Sequence, residues 1–573
     1  MKPARSDESV SQLVGDNLPA IEDPMIAADP ISFLRSLAAS GAALAKNPAG
    51  LAAANARLAI GLVAATQAAA VRAMGGQVAG PLSPATGDKR FTDSAYADNP
   101  LYFLLQQQYL LSSQVVTELL DAAGLEGEED AKARFAAKFI VDALAPSNTL
   151  SGNPAAWRHA VETGGMSLVR GAKNMLDDFR DNGGWPSQVD SSGFEVGVNM
   201  AATKGAVVYR SDLIELIQYE PQVKRVHAVP LLFCPPWINK YYIMDLAPGK
   251  SLIEWAVQHG HTCFAISYRN PDASMSELGF VDYLRQGPLD AVRVVRAITG
   301  AAAVNTVSVC LGGTLTAMGL AYNAATGDDS IKSATLLNTH IDFTVPGSLG
   351  IFTDEATITG LEAQMAKDGY LDSDKMAHTF DALRANDLVF QYVVNNWLLG
   401  NKPPAFDLLV WNKDNTKMPA KMHSEYLRSC YLNNEFARGE FEIDGHKLDP
   451  GQVKVDTYVL SAVDDHIVPW VSGYKTTQLL GGHNRFVLST SGHIAGIVNP
   501  PSPKAKHWTN DDHPVDPQEW KAEAQLQDGT WWEDWTKWIA SQGGPKVAAP
   551  RELGSKEFPT IEAAPGSYVR AQS

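Results

Sequence analysis

Cysteine is scarce in this chain: Cys234, Cys263, Cys310 and Cys430 are the four among 573 residues. So few thiols, spaced so widely, exclude a disulfide framework and a C-x-x-C metal motif, and a reducing cytoplasm is the expected compartment. Basic charge is also in short supply. The formal net charge is −17, whereas a nucleic-acid binder carries a basic footprint, so no nucleic-acid partner is expected. Long unbroken apolar runs are missing. The most apolar stretch, Leu51 to Met74, is mainly alanine and is interrupted by Asn55, Arg57, Gln67 and Arg72, which predicts a surface helix and no transmembrane segment. The opening residues, Met1 to Glu8, lead into no short apolar core and cleavage site, so no signal peptide is expected. No metal or nucleotide motif occurs, and no metal or bound cofactor is expected.

What is present reads as an ordinary globular chain, 45% hydrophobic and 19% charged, too long for a single core. Residues 1–30 are polar and contain Pro and Asp, which predicts a disordered or loosely attached segment. From 31 to about 190 the apolar residues recur at three- and four-residue spacing, as in Tyr102 to Leu120, which predicts an all-helical N-terminal domain. From 191 to 573 the character changes. Apolar runs at Ala228–Cys234, Cys263–Tyr268, Val304–Val309, Ser333–Asn338, Val455–Leu460 and Arg485–Leu488 alternate with helix-like segments. Continuous apolar strands between helices predict an α/β fold on a mainly parallel sheet. The gap at about 343–434 is rich in Leu, Met, Phe, Tyr and Asn and predicts a helical cap inserted over the carboxyl ends of the strands. The aromatic run Trp531 to Trp538 predicts a helix packed on the sheet, with a partner interface as the second reading.

The stretch with most chemical content is Asn305-Thr-Val-Ser-Val-Cys-Leu-Gly-Gly-Thr314. It has the layout of a nucleophile elbow, with Cys310 at the tip and small residues, Ser308, Gly312 and Gly313, easing the crowded turn. The same pattern also suits a buried cysteine closing a core strand. The order of residues downstream favours the elbow. An acid occurs after a late strand, where Asp464 and Asp465 both qualify, and His493 comes directly after a glycine beyond the next strand. The order nucleophile, acid, histidine is that of an α/β-hydrolase. In such a triad the histidine takes the proton of a thiol whose ordinary pKa is about 8.5, and the acid fixes the histidine tautomer. The oxyanion is expected to meet two backbone N–H groups, those of Leu311 and of Ile238 in the loop Pro235–Lys240. His466 is expected to hold the acid loop together.

These residues resemble the poly(3-hydroxyalkanoate) synthases, most closely the class I enzymes, over nearly the whole chain. The resemblance is carried by Arg90-Phe-Thr-Asp93, Asn99-Pro-Leu-Tyr-Phe103, Glu162-Thr-Gly-Gly-Met-Ser-Leu-Val-Arg-Gly171, Pro235-Pro-Trp-Ile-Asn-Lys-Tyr-Tyr-Ile243 and Tyr268-Arg-Asn-Pro-Asp-Ala-Ser-Met275. The cysteine elbow, Asp465-His-Ile-Val-Pro-Trp470 and Ser491-Gly-His-Ile-Ala-Gly-Ile-Val-Asn-Pro-Pro501 complete it. It selects Asp465 over Asp464. It implies an acyltransferase that takes (R)-3-hydroxyacyl-CoA, releases CoA and extends a polyester held on Cys310 as a thioester, with His493 as general base. Asp465 then orients His493 or helps activate the 3-hydroxyl of the incoming unit. It further implies a homodimer on the surface of cytoplasmic polymer granules, with the helical N-terminal domain serving attachment and dimer formation. Two positions depart or vary. Ser308 stands where the family commonly has glycine, and Trp237 is expected to narrow the acyl pocket and favour short units such as 3-hydroxybutyryl. A cysteine thioesterase or dienelactone-hydrolase-like enzyme shares the triad but releases free acid. A non-catalytic granule scaffold is the reading from a different class.

Overall fold

The computed structural model describes residues 30–571, so the segment expected to be loosely attached lies outside them save for Pro30. The chain divides into two units, one comprising the residues up to Asp190 together with His378–Ala405, the other Ser191–Ala377 with the residues from Phe406 onward.

The first unit is helical. Its principal helices are α1 (Pro30–Ala45), α2 (Pro48–Ala73), α3 (Pro100–Ala123), α4 (Gly127–Ala143), α5 (Pro154–Glu162) and α6 (Met166–Asp181). Three of them start on the same device: Asn47, Asn99 and Asn153 each accept a backbone N–H from the first turn, and each is followed by proline. The asparagine satisfies an orphan donor, and proline suits the first helical position because its N–H is not needed. α2 is, by length and composition alone, the one helix among the described residues able to cross a membrane. Its small-residue face carries Ala54, Gly61 and Ala65, and Gly61 lies so close to Leu111 of α3 that a Cβ would stand 2.5 Å from it. Arg57 also pairs with Glu118 of α3, so α2 is not a clear transmembrane segment.

The expected cap, 343–434, is not one piece. Its middle, 378–405, belongs to the helical unit, where Ala385 and Val389 pack with Trp185. The Trp397 indole donates to Asp178 at 2.7 Å, and its carbonyl lies where a Cβ on Gly171 would be, 1.9 Å away. Only a glycine admits that approach of α6. Amphipathic helices suit either unit, and these contacts decide for the first.

The second unit is built on an eleven-stranded sheet. Its strands are β1 (Gly205–Arg210), β2 (Ile214–Tyr219), β3 (Leu231–Cys234), β4 (Cys263–Tyr268), β5 (Val304–Val309), β6 (Ile331–Leu337), β7 (Asp456–Ala462), β8 (Asn484–Ser489), β9 (Lys506–Thr509), β10 (Gln525–Asp528) and β11 (Glu562–Ala563). Their order is β10-β9-β8-β7-β6-β5-β3-β4-β2-β1-β11. The six from β3 to β8 pair in parallel, as their unbroken apolar runs require for strands covered on both faces. The flanking strands pair antiparallel. The fold is therefore α/β, preceded by helices. The elbow helix α7 (Leu311–Thr326) follows β5 directly. The last helix, α9 (Trp531–Gln542), buries Trp531, Trp532 and Trp535 against the sheet core. Between them, α8 (Ala420–Tyr426) belongs to the part of the insertion retained by this unit.

Candidate active site

Cys310 sits at the junction of β5 and α7 with φ of 51°, a left-handed conformation unusual for a residue with a Cβ. That strain is held by its surroundings. The Cys310 N–H donates to the Leu337 carbonyl at 2.8 Å, and its own carbonyl accepts from Gly313 and Thr314. The two glycines are required by space. A Cβ on Gly312 would stand 2.2 Å from the Cys234 carbonyl, and one on Gly313 would stand 2.0 Å from Thr339 Oγ1. Ser308 is accommodated by a partner: its hydroxyl lies 2.8 Å from that of Thr316, which donates to the Gly312 carbonyl. The serine thus joins the first turn of α7.

Cys310 is the single half-buried thiol; the other three are buried. Burial pushes the Cys234 and Cys430 thiols up to about 12 and Cys263 well above its ordinary value. Nucleophilic chemistry needs the thiolate, so those three are chemically quiet.

The loops after β7 and β8 bring the other two residues together. His493 Nδ1 lies 2.6 Å from Asp465 Oδ2, both side chains buried. The other oxygen, Oδ1, accepts the N–H groups of Ile467 at 2.9 Å and Val468 at 2.8 Å. Asp464 instead points to solvent. Burial alone would lower the His493 pKa; the Asp465 carboxylate, the Cys310 thiol and hydrogen bonds to both outweigh it and hold the imidazole well above its ordinary value. His493 is therefore held by Asp465 through a 2.6 Å contact, and the Cys310 thiol adds to the same upward shift. Ile238 belongs to the same apolar cluster as Leu311, and neither N–H has an acceptor among the described residues. His466 is half-buried on the acid loop, and its carbonyl accepts the Ser348 N–H at 2.9 Å.

Several residues escaped the sequence. Asn338, the residue after β6, adopts φ of 44° and donates from its amide to the His493 carbonyl. Trp531 and Trp532 donate from their indoles to the carbonyls of Gly496 and Ile497 at 2.8 and 2.9 Å, fixing the rest of the histidine loop. In the apolar cluster that Cys310 packs against, Tyr426 at the end of α8 meets Trp237 edge-on at 5.7 Å and Tyr431 at 5.6 Å, and Tyr431 meets Phe343 at 4.8 Å. Burial raises the phenol pKa of both tyrosines, with smaller raising contributions from neighbouring groups that include the Cys310 thiol. The aromatic letters of the insertion were visible, but nothing in their spacing said which of them join the apolar cluster that includes Cys310.

Residues 87–256 match the family described as poly-beta-hydroxybutyrate polymerase (PhaC) N-terminus, and residues 229–500 match the alpha/beta hydrolase fold. The poly(3-hydroxyalkanoate) polymerase subunit PhaC of Cupriavidus necator is 44% identical over 504 residues, 87% of this chain and 85% of its own length. The poly(3-hydroxyalkanoate) polymerase of Methylorubrum extorquens is 43% identical over 516 residues, 89% of this chain and 85% of its own. Poly(3-hydroxyalkanoate) polymerase 1 of Ectopseudomonas oleovorans is 41% identical over 491 residues, 85% of this chain and 87% of its own.

Proposed function

The chain belongs to the poly(3-hydroxyalkanoate) polymerase family, and from that premise we propose that it polymerises short-chain (R)-3-hydroxyacyl-CoA, 3-hydroxybutyryl-CoA first, through an acyl thioester on Cys310. The observation that carries the reading is the His493–Asp465 pair, 2.6 Å apart on the loops after β8 and β7, with Cys310 at the carboxyl end of β5 in the same parallel sheet. His493 takes the thiol proton, and the Cys310 thiolate attacks the substrate thioester carbonyl. The negative charge that develops on that oxygen is met by the N–H groups of Leu311 and Ile238. The tetrahedral adduct expels CoA as a thiolate, which receives the proton from His493. The 3-hydroxyl of another unit then attacks the acyl-enzyme, again giving its proton to His493, and an ester forms as the Cys310 sulfur is released. Asp465 acts by orienting His493, because one of its oxygens faces the imidazole and the other is occupied by two backbone donors.

Growth requires that the acyl-enzyme meet a hydroxyl and not water. The wall of Trp237, Phe343, Tyr426 and Tyr431 supports that partition by keeping the thiol in apolar surroundings. The large Trp237 ring supports short acyl units. The activity is that of an acyltransferase, exercised by a homodimer on the surface of cytoplasmic polyester granules, with exposed apolar residues of the helical unit, such as Ile60 and Val63 on α2, supporting attachment to an apolar surface.

The test is purified protein incubated with (R)-3-hydroxybutyryl-CoA, with free thiol and product both followed. Thiol release with insoluble polyester is expected. Release with only free 3-hydroxybutyrate would make the protein a thioesterase, and no release from short- or medium-chain substrates would make it a scaffold.

A further inference from the structure

The loop that carries Ile238 is gripped along its length by residues 411–417, which lead into α8. The Trp411 indole donates to the Lys240 carbonyl at 2.8 Å, the Tyr242 hydroxyl donates to Asp414 at 2.8 Å, and Asn239 bridges Asn415. At the far side the buried Lys240 ammonium donates to the Ala571 carbonyl at 2.6 Å. One bond in this clasp differs in kind from the rest. The Thr416 hydroxyl, 3% exposed, donates to the carbonyl of Trp237 at 2.8 Å. That carbonyl and the Ile238 N–H belong to the same peptide unit. A trans peptide is planar, with its C=O and N–H directed oppositely, so whatever fixes the carbonyl also fixes where the N–H points. A carbonyl that accepts a hydrogen bond also polarises its own peptide N–H into a stronger donor.

We propose that Thr416 is a positioning residue for the oxyanion hole: by holding the Trp237 carbonyl from behind, it aims and strengthens the Ile238 N–H at the carbonyl oxygen attacked by Cys310. The inference rests on the acyl-transfer reading above. It also ties the hole to the insertion, since Thr416 lies four residues before α8. Loss of the hydroxyl leaves the Trp237 carbonyl buried without its donor and the peptide free to tilt, which weakens an interaction made only as negative charge develops. Removing an oxyanion donor outright slows such enzymes about 10²- to 10³-fold, and misaiming one is expected to slow this protein about 10- to 100-fold.

The experiment compares the full-length protein with Thr416→Val, which keeps the shape and removes the hydroxyl, and Thr416→Ser, which keeps the hydroxyl. Steady-state CoA release from (R)-3-hydroxybutyryl-CoA and thermal unfolding are followed for each. The expected result is a kcat about 10- to 100-fold lower for Thr416→Val with KM within about twofold, and a kcat within about threefold of the parent for Thr416→Ser. A kcat within threefold for Thr416→Val overturns the inference. So does a loss appearing mainly in KM, or a serine variant as slow as the valine one, since each points to packing alone. If Thr416→Val shows no cooperative unfolding, Thr416→Ala is read against the same limits. If the parent releases no CoA, the function reading fails, and the inference is then read on hydrolysis of 4-nitrophenyl butyrate, which needs the same hole; a parent inert to both overturns both.

Discussion

His493, after β8, and His261, just before β4, are both buried, at 7% and 1% exposure, yet their acid–base character is opposite. His261 stacks on His227 at 4.6 Å, and neither of its ring nitrogens has a hydrogen-bond partner. Burial, aided by His227, His259 and Lys546, lowers its pKa to about 3. Two further buried histidines, His340 and His423, go the same way, each to about 4, with burial the main cause. His493 alone among these four is carried above its ordinary value, because Asp465 and Cys310 lie against it. Burial by itself makes a histidine neutral and silent; a buried carboxylate in contact makes it a base.

The contrast predicts a series of effects. The largest is at Asp465. Asp465→Asn removes the charge that separates His493 from the silent histidines and releases its tautomer, so CoA release is expected to fall about 10³- to 10⁴-fold with little change in fold. A loss under tenfold, measured by thiol detection, would mean that Asp465 does not set the character of His493. The second is at the wall over the thiol. Tyr431→Ala opens the apolar surroundings of Cys310, and the share of acyl-enzyme lost to water, read as free 3-hydroxybutyrate against polyester, is expected to rise roughly threefold or more. An unchanged partition would remove water exclusion from the account. The third concerns pH and carries opposite signs at the two histidines. The folded pKa of His261 lies below the unfolded value of about 6.5, so stability is full above that pH and drains away toward pH 3 as the unfolded chain takes up the proton. The raised value at His493 contributes stability below pH 6.5 that is lost as pH rises through it. His261→Phe is therefore expected to leave CoA release unchanged and to remove about 2 kcal/mol of the stability lost between pH 7.5 and pH 5, measured by denaturant unfolding. Parallel pH profiles for the parent and the variant would contradict the assignment.

How much of this was legible depended on whether partners were local. The six parallel strands show in the sequence because each is apolar along its whole length, and Cys310, Asp465 and His493 show because each follows such a strand in a fixed order. Strand β2 does not show, because it buries Glu215 and Gln218. Glu215 is tolerated there only because Arg210 and the N–H groups of Ser567 and Tyr568, some 350 residues away, satisfy it. Asn338 and Thr416 were invisible for a related reason: each acts on a distant backbone carbonyl, and no pattern of side chains records that. The split of the insertion was hidden because helices rich in Leu, Phe and Asn pack equally well on either unit, until Gly171 and Trp397 are seen in contact.

The central claim is that the acyl group is carried on Cys310. Its most direct test is to quench the protein with acid seconds after mixing with (R)-3-hydroxybutyryl-CoA and to map the acyl mass by peptide mass spectrometry. The account predicts a hydroxylamine-labile 3-hydroxybutyryl adduct, or a short oligomer of it, on the peptide containing Cys310, absent in Cys310→Ala. An adduct on another residue, or sustained CoA release by Cys310→Ala, would contradict it.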